Sequence, residues 1–474
     1  MSTRTLVADH LTPTLAYAKL RAAPGEGARF LYESAVSGER WARYSILGYA
    51  PRFELRLDRD TGWSSHGALP AGIALREDGP LLERVQIART RSDAGPARFT
   101  DGLFGYVAYD LVHAIAKVPA GSRETWDRHY VPLARLFGGF RLVVFDNLQG
   151  TVTLLCEDDA ALDAVEAALA APVEFPALPM PSRLVDDASL EVDVDLDDAA
   201  YREVVARCRE YVLAGDAFQI VPSREFSVRA ELDPLLVYRA ARILNPAPYM
   251  YLWEFPEGPL ALVGASPETL ARVEVSPEGT AKLLVRPIAG TRKRGETEAE
   301  DLALEAELRA DEKERAEHVM LVDLARNDVG RVATIGSVKV DKLLTVERGS
   351  HVMHLVSEVT GELREDVSSL AAFGSAFPAG TLTGAPKVRA MQIIREVEAL
   401  PRNFYGGAVG YLLPSGDLDF AINIRTAVQR EGRLVVRAGG GVVEASEPQA
   451  EADETRNKAK AMLSAVLSVV RWRG

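Results

Sequence analysis

Residues 314–330 read ERAEHVMLVDLARNDVG and lie inside a long helical pattern that runs from Glu296 to Val329. This segment is rich in Ala, Leu, Glu and Arg, which favour helices. Glu314 and Glu317 occupy positions i and i+3, so both carboxylates lie on one face of the predicted helix. Like charges at this spacing repel each other, and the pair is destabilising unless a cation lies beside it.

A second pair of this kind, Glu451 and Glu454, lies at the start of a predicted helix over residues 448–470, just after Gly439–Gly441. A carboxylate that enters a buried region needs a partner. Magnesium binds few carboxylates, keeps several waters and bridges to substrate oxygens. The two helices therefore suggest one ion held by Glu317 and Glu454. For any single pair, a solvated helix face is the commoner interpretation.

Strand-like runs surround these helices. They are predicted at residues 52–57, 141–145, 151–155, 218–221, 248–255, 260–263, 418–424 and 434–438, with further helices at 160–171 and 201–214. The chain shows no internal repeat at a fixed period. We therefore expect an α+β (mixed α/β) fold, in which large antiparallel-rich β-sheets pack as a sandwich and are covered by helices.

Residues 171–181 contain four prolines in eleven positions. Such a segment is stiff and extended, and it is the best candidate for a boundary. We expect an N-terminal part over residues 1–170, a Pro-rich linker over 171–190 and a second part over 191–474. The two parts could still share one core.

The net charge of −13 and the absence of a Lys/Arg run that would form a basic face argue against a nucleic-acid binder. No apolar run reaches the roughly 18 residues of a membrane span, and the N-terminus lacks an apolar signal core, so we expect a cytoplasmic protein without a membrane segment. Cys156 and Cys208 form no CxxC motif, so neither a disulfide framework nor a zinc ribbon is indicated. An acidic protein that acts on an anion needs local positive charge or a recruited cation.

Two loops carry groups that suit an anionic substrate. Gly439–Gly441 follow a predicted strand and can let the backbone approach an anion, although a tight turn is the commoner explanation. The run is not GxGxxG, so a dinucleotide site is rejected. Gly290 and Thr291 can offer an N–H and a hydroxyl to a carboxylate, and three basic residues follow them. A solvated basic loop explains that segment equally well.

Three further positions carry groups used in proton transfer or hydrogen bonding. His354 ends the run 350–354, and a lone histidine in an apolar strand is more often a core residue. Thr381 begins a loop that enters a predicted helix at Pro386, where hydroxyls often serve as caps. Glu268 can supply a carboxylic acid, although an ordinary turn glutamate is the simpler explanation.

Together these segments resemble one family, the chorismate-utilising enzymes, and within it the anthranilate synthase large-subunit (component I) group. The resemblance covers nearly all of residues 195–470, in the expected order. The strings that carry it are residues 317–330, 381–389, 405–411 and 453–459. Residues 31–34 and 102–110 of the N-terminal part agree more loosely.

The resemblance implies an ammonia-dependent conversion of chorismate to anthranilate with loss of pyruvate. By matching positions, Glu317 and Glu454 would bind Mg²⁺ beside the ring carboxylate of the substrate, and Glu314 and Glu451 would support them. The residues that would hold chorismate are Gly290, Thr291, Tyr405, Arg425, Gly439, Gly440 and Gly441.

The resemblance also assigns the proton transfers. Glu268 would be the acid that helps the ring hydroxyl leave, and His354 would take the ring proton as pyruvate departs. Thr381 would position the ring hydroxyl. Arg425 suits the enolpyruvyl carboxylate because a guanidinium fork matches a carboxylate in a bidentate manner.

The N-terminal part resembles a feedback site for tryptophan. The residues that carry this likeness are Glu33, Ser34, Pro248, Tyr249 and Met250. Tyr32 departs from the Leu that is common in this motif. The chain has no Gly-x-Cys-x-Gly nucleophile motif, so we expect a separate glutamine amidotransferase subunit (component II) to deliver ammonia in a hetero-oligomer.

Other functions stay open at this point. Relatives that make aminodeoxychorismate typically carry Lys inside the Pro287–Thr291 motif, where this chain has Ala289, as anthranilate synthases do. Aminodeoxychorismate synthase component I, or another chorismate enzyme, is nevertheless the alternative. A third hypothesis, from a different class, is a catalytically silent protein that senses tryptophan.

Overall fold

The computed structural model describes residues 1–23, 25–35, 43–90, 95–182, 192–256, 260–349 and 352–473. Residues 350 and 351 of the histidine-containing run, and residues 183–190 of the predicted linker, lie outside the described residues. Among the described helices, none is long and apolar enough to cross a membrane.

The strands run along the described chain as β1 (Ser2–Val7), β2 (Arg29–Glu33), β3 (Tyr44–Tyr49), β4 (Phe53–Asp58), β5 (Gly62–His66), β6 (Ile73–Leu75), β7 (Val85–Ile87), β8 (Leu103–Val107), β9 (Ala134–Gly138), β10 (Arg141–Asp146), β11 (Thr151–Cys156), β12 (Asp193–Val194), β13 (Gln219–Ile220), β14 (Ser223–Arg229), β15 (Tyr249–Glu254), β16 (Ala261–Ser266), β17 (Thr269–Val275), β18 (Ala281–Val285), β19 (Ile288–Lys293), β20 (Lys339–Arg348), β21 (Val352–Glu362), β22 (Gly384–Ala385), β23 (Ala408–Leu412), β24 (Leu418–Ile422), β25 (Thr426–Arg430) and β26 (Arg433–Gly439).

The helices are α1 (Pro13–Arg21), α2 (Val112–Ile115), α3 (Arg123–Arg128), α4 (Asp159–Ala170), α5 (Asp198–Leu213), α6 (Pro234–Leu244), α7 (Glu298–Ala310), α8 (Glu312–Gly330), α9 (Ser369–Ala376), α10 (Lys387–Val397) and α11 (Pro448–Arg473). Short 3-10 turns occur at Leu81–Arg84, Gly95–Phe99, Tyr109–Leu111 and Gly380–Leu382.

Two large antiparallel sheets organise the described chain. The first has the order β1-β11-β10-β3-β2-β15-β16-β25-β26-β14-β12. The second has the order β19-β21-β18-β17-β24-β23-β8-β9-β4-β5, and β20 pairs with β21 at its end. An aromatic core fills the space between the sheets, where Phe30 stacks on Trp253 with ring centroids 4.9 Å apart and on Phe104 at 4.7 Å.

Helices cover the outer faces of both sheets. Helices α1, α4, α6 and α11 pack on the first sheet through one apolar cluster, and α8 and α9 pack on the second through another. Each sheet therefore buries one face against its partner sheet and the other against helices, as an amphipathic layer must. The predicted α+β sandwich covered by helices is confirmed.

Both sheets contain strands from both sides of the Pro-rich segment. In the first sheet β2 pairs with β15, and in the second β8 pairs with β23. The segment at 171–190 therefore does not separate two folded units, because residues 1–170 and 191–474 complete each other's sheets. The assignment of a regulatory role to one part and catalysis to the other stays a prediction.

The prediction of a single helix from Glu296 to Val329 is wrong in one respect. The structure divides it into α7 and α8 at Asp311, whose carboxylate accepts a hydrogen bond from the backbone N–H of Glu314 at 3.1 Å. Aspartate is a favoured N-cap residue, and it competes with helix continuation. Arg292 holds the same carboxylate at 2.7 Å. The break places Glu314 and Glu317 in the first turns of α8.

Candidate active site

Glu268 and Thr381 meet in a buried corner between β16 and the 3-10 turn at Gly380–Leu382. The Thr381 hydroxyl donates to Glu268 Oε1 at 3.1 Å, and Glu268 is 7% exposed. Burial raises the pKa of Glu268 to about 8, against the opposing effects of the Thr381 hydroxyl and the charges of Lys458 and Arg286. The carboxyl group therefore holds a proton near neutral pH and can donate it.

His354 lies on β21 directly opposite Thr291 on β19. Its Nδ1 is 3.0 Å from the Thr291 hydroxyl and 3.2 Å from the carbonyl oxygen of Gly290. A proton on Nδ1 can donate to that carbonyl, which leaves Nε2 as the basic nitrogen. Burial lowers the pKa of His354, although the Gly290 carbonyl opposes this effect. The imidazole is therefore neutral near pH 7 and able to accept a proton.

The first carboxylate pair lies beside this histidine. A Cβ atom at Gly290 would be 3.3 Å from Glu314 Oε2, so α8 approaches β19 closely there. Burial raises the pKa of Glu314, the charge of Glu317 raises it further, and Arg292 opposes both. The repulsion that the i and i+3 spacing predicts is present between the two carboxylates.

The second pair lies at the start of α11. Burial raises the pKa of Glu451, the Ser446 hydroxyl opposes this effect, and the charge of Glu454 raises it further. Glu454 itself pairs with Lys458, with Oε1 and Nζ 2.5 Å apart. In each helix, therefore, the two carboxylates have different hydrogen-bond or ion-pair partners.

Gln219 connects the two pairs through the glycine turn. Its Nε2 donates to Glu317 Oε1 at 2.8 Å and would be 2.7 Å from a Cβ atom at Gly441. A Cβ atom at Gly440 would be 2.5 Å from Glu451 Oε2. A side chain at Gly440 would collide with Glu451, and one at Gly441 would collide with Gln219, the partner of Glu317, unless those side chains moved.

The carboxylates suit a hard divalent cation whose coordination shell is completed by other ligands. Glu451 Oε2 is buried and, within the described residues, has no hydrogen-bond partner, so it is available to a cation. The described residues contain no cluster of three or more His, Cys, Asp or Glu that could hold a metal alone. Magnesium is commonly bound by one or two carboxylates together with water and substrate oxygens, so the donor set fits it.

Tyr405 lies against the glycine turn, and Arg425 lies near Tyr405 and Glu454. A Cβ atom at Gly439 would be 2.8 Å from the Tyr405 hydroxyl. Burial lowers the pKa of Arg425, and the neighbouring Tyr405 and Glu454 oppose the shift. Arg425 has φ of 52°, a strained conformation for a residue with a side chain, and strain of this kind concentrates at functional sites.

Lys458 joins these groups into one site. Its Nζ donates to the carbonyl oxygen of Gly439 at 3.0 Å and pairs with Glu454, while its charge lowers the pKa of both Glu268 and Glu451. Arg425 donates a hydrogen bond to the Lys458 carbonyl oxygen, and its charge lowers the pKa of His354. The predicted acid, base, glycine turn and carboxylate pairs are thus brought together.

Two residues of this site were not predicted. Gln219 lies in a strand of two residues and carries no sequence signal that would separate it from a surface glutamine. Lys458 lies within the quoted string 453–459, and its i+4 spacing from Glu454 is a typical ion-pair signal that could have identified it.

A separate cavity of about 610 Å³ lies between the two sheets. All five residues of the predicted tryptophan site line it: Glu33, Ser34, Pro248, Tyr249 and Met250. Within the described residues, the Ser34 hydroxyl is buried without a hydrogen-bond partner. The Glu33 carboxylate accepts from the Tyr238 hydroxyl at 2.6 Å. The cavity therefore combines aromatic walls with a hydroxyl group, that of Ser34, that is available for a hydrogen bond to a ligand.

Comparisons with known proteins agree on one family. Residues 33–464 match the family of chorismate binding enzymes. The chain is 43% identical to a protein of Mycolicibacterium smegmatis named anthranilate synthase component 1, over 98% of this chain and 90% of that one. It is also 43% identical to a protein of the same name from Pseudomonas aeruginosa, over 97% and 94% of the two chains.

Solved structures agree with the sequence comparisons. The crystal structure of anthranilate synthase component I from Streptococcus pneumoniae superposes with a TM-score of 0.74 at 32% identity, over 98% of this chain and 99% of that one. The menaquinone-specific isochorismate synthase of Escherichia coli superposes with a TM-score of 0.68 at 18% identity, which shows a shared fold alone.

Proposed function

This chain belongs to the chorismate-binding enzymes and, within them, to the anthranilate synthase component I family, and we propose that it converts chorismate and ammonia to anthranilate and pyruvate. One observation carries the proposal. A protonated carboxylic acid, Glu268, and a neutral imidazole, His354, lie in one site with two carboxylate pairs and the half-buried Arg425. The reaction needs a proton donor for a leaving hydroxyl and a base for a ring proton.

In the first step the ring gains a C–N bond and loses its hydroxyl. Glu268 gives its proton to the hydroxyl, which leaves as water, while the incoming ammonia loses a proton that restores the acid. Thr381, already hydrogen-bonded to Glu268 at 3.1 Å, holds the hydroxyl beside that acid. Burial suits this role because it keeps the acid protonated at neutral pH.

In the second step the enolpyruvyl C–O bond breaks and the ring becomes aromatic. His354 takes the ring proton through Nε2, and the proton ends on the methyl group of pyruvate. The Gly290 carbonyl near Nδ1 fixes the orientation of the imidazole. Arg425 and Tyr405 hold the enolpyruvyl carboxylate, and the backbone at Gly439–Gly441 approaches the substrate closely.

Glu317 and Glu454 would hold Mg²⁺, with Glu314 and Glu451 in support. The bound ion would supply positive charge beside the ring carboxylate. Gln219 orients Glu317 through its 2.8 Å hydrogen bond. The unpartnered Glu451 Oε2 supports this assignment because a buried carboxylate oxygen requires a compensating group.

The cavity between the sheets is proposed as the tryptophan feedback site. Its aromatic walls suit an indole, and Glu33 and the Ser34 hydroxyl suit the polar end of an amino acid. Ammonia would come from a glutamine amidotransferase subunit, component II, in a cytoplasmic complex. The pathway is tryptophan biosynthesis.

The test is to incubate the purified chain with chorismate, Mg²⁺ and an ammonium salt and to follow anthranilate fluorescence. We expect fluorescence that depends on all three additions. A non-fluorescent amino product would favour aminodeoxychorismate synthesis instead. Binding of tryptophan without any product would favour the silent sensor.

A further inference from the structure

Lys387 closes the connection that carries Thr381. Helix α9 ends at Ala376 and α10 begins at Lys387, so residues 377–386 join the two helices and include Thr381. The Nζ of Lys387 donates a hydrogen bond to the carbonyl oxygen of Ala376 at 3.0 Å. The connection that presents Thr381 to Glu268 therefore has its two ends tied together by one side chain.

The same ammonium group binds α8. Its Nζ lies 2.7 Å from Asp328 Oδ2, and the side chains of Lys387 and Asp328 are 11% and 9% exposed. Asp328 lies on α8, which also carries Glu314 and Glu317. The ion pair therefore attaches the connection that carries Thr381 to the helix that carries the first carboxylate pair.

The position of this lysine is unfavourable for stability alone. Burial lowers the pKa of Lys387, the charge of Asp328 opposes that shift, and the charge of Arg331 lowers the pKa further. A cation in the first turn of a helix also opposes the helix dipole. A buried ion pair contributes little net stability compared with apolar side chains of similar volume. The pair is therefore better explained by the geometry that it imposes.

Polar bonds hold this connection because a cavity lies beside it. The cavity has a volume of about 340 Å³, and its lining includes Thr381, Glu268 and Asp328. A segment beside a cavity lacks packing contacts on that side. After Thr381 in the sequence, Arg402 Nη1 donates to the carbonyl oxygen of Leu382 at 2.7 Å. Cationic side chains therefore hold backbone carbonyl groups both before and after Thr381.

We propose that Lys387 is a positioning residue for the acid step, because its bonds to α8 and to the end of α9 keep Thr381 against Glu268. This inference rests on the proposed function, since it assigns a support to the acid of that reaction. Lys387 acts through Thr381 and is not itself the proton donor. Without Lys387, Thr381 can move toward the cavity, and Glu268 loses the hydrogen bond that favours its ionised form.

Two variants test this role. Lys387→Met removes the tether, but it leaves the buried Asp328 carboxylate without its partner and should destabilise the fold. The double variant, Lys387→Met with Asp328→Leu, replaces the ion pair by apolar side chains and should therefore fold with a similar Tm. It removes one positive and one negative charge, so the electrostatic field at Glu268 changes little. The double variant thus isolates the loss of the tether.

We expect kcat/KM for chorismate to fall about tenfold in the double variant. This is less than the roughly 10²-fold effect of a 1 Å misplacement, because Arg402 still holds Leu382. The alkaline limb of the kcat/KM profile should move to higher pH by up to about one unit, the effect of one lost hydrogen bond to the Glu268 carboxylate. A residue with a purely structural role would lower the rate without moving this limb.

Lys282→Met with Asp341→Leu is the matched control. It removes a Lys–Asp pair of the second sheet whose side chains are 48% and 37% exposed, so kcat/KM and the alkaline limb should both stay in place. If the unmodified chain is active and the folded Lys387 double variant keeps its alkaline limb where it was, Lys387 does not position the acid. If the unmodified chain makes no anthranilate, the proposed function fails, and this inference fails with it.

Discussion

At Glu268 a common turn residue becomes an acid because of where it is buried. The sequence motif identified this position, yet nothing in its neighbours along the chain indicates a pKa of about 8. That value arises from burial between β16 and the turn that carries Thr381, which are far apart in sequence. The motif thus predicted the position of this candidate acid, and its raised pKa depends on the fold.

The first prediction concerns this acid directly. Glu268→Gln keeps the shape and removes the transferable proton, so kcat should fall by about 10²- to 10⁴-fold, the usual contribution of general acid catalysis. The KM for chorismate should change little. Steady-state kinetics on both proteins measure this. An activity within about fivefold of the unmodified chain would remove Glu268 from the mechanism.

The second prediction concerns pH. The protonated form of Glu268 is the active one, so kcat/KM for chorismate should fall as the pH rises through about 8. The Thr381 hydroxyl lowers this pKa, because it donates to the ionised carboxylate. Thr381→Val should therefore shift the alkaline limb of the kcat/KM profile for chorismate to higher pH, with a lower maximum. A limb that stays in place or moves to lower pH would contradict this account.

Among the elements, α7 and α8 show how one residue can determine the position of a site. Sequence periodicity predicted the helical content of residues 296–329 and missed the break, because the strong helix formers on both sides outweigh a single aspartate. The signal was local: Asp311 with Glu314 at the capping-box spacing. The glycine turn at 439–441 was predicted, but its contact with Gln219 is long-range and has no sequence signature.

The third prediction tests this break. Asp311→Ala removes the N-cap of α8 and the ion pair with Arg292, so the free energy of unfolding should fall by about 0.5–2 kcal/mol. Urea unfolding measures the change. Glu312→Ala, at the neighbouring exposed position, is the matched control and should stay within about 0.5 kcal/mol. Equal effects for both variants would show that the cap is unimportant.

At the scale of the whole molecule, each large sheet contains strands from both sides of the Pro-rich segment. Hydrophobic patterns indicated a sandwich, and they left open whether the halves on either side of the prolines share a core. Strand pairing answers that question, because β2, before the prolines, pairs in a defined register with β15, after them. The same pairing brings Glu33 and Met250 to one cavity, so residues from both sides of the prolines line it.

The fourth prediction follows from that shared cavity. Tryptophan should bind the folded chain and raise its Tm, because a ligand at about 100 times its Kd stabilises by about 2.7 kcal/mol. Ser34→Leu fills the cavity and removes the buried hydroxyl, so the Tm shift should disappear. Leu148→Ala, at an exposed position 78% accessible, is the control and should keep it. A shift retained in Ser34→Leu would place tryptophan elsewhere.

The central claim is that one site both aminates chorismate and eliminates pyruvate. Its most direct test is to measure anthranilate and pyruvate together, in one reaction of the purified chain with chorismate, Mg²⁺ and ammonium. We predict that the two products form in equal amounts and that neither forms when Mg²⁺ is chelated. Accumulation of an amino product that still carries its enolpyruvyl group, without pyruvate, would contradict the account.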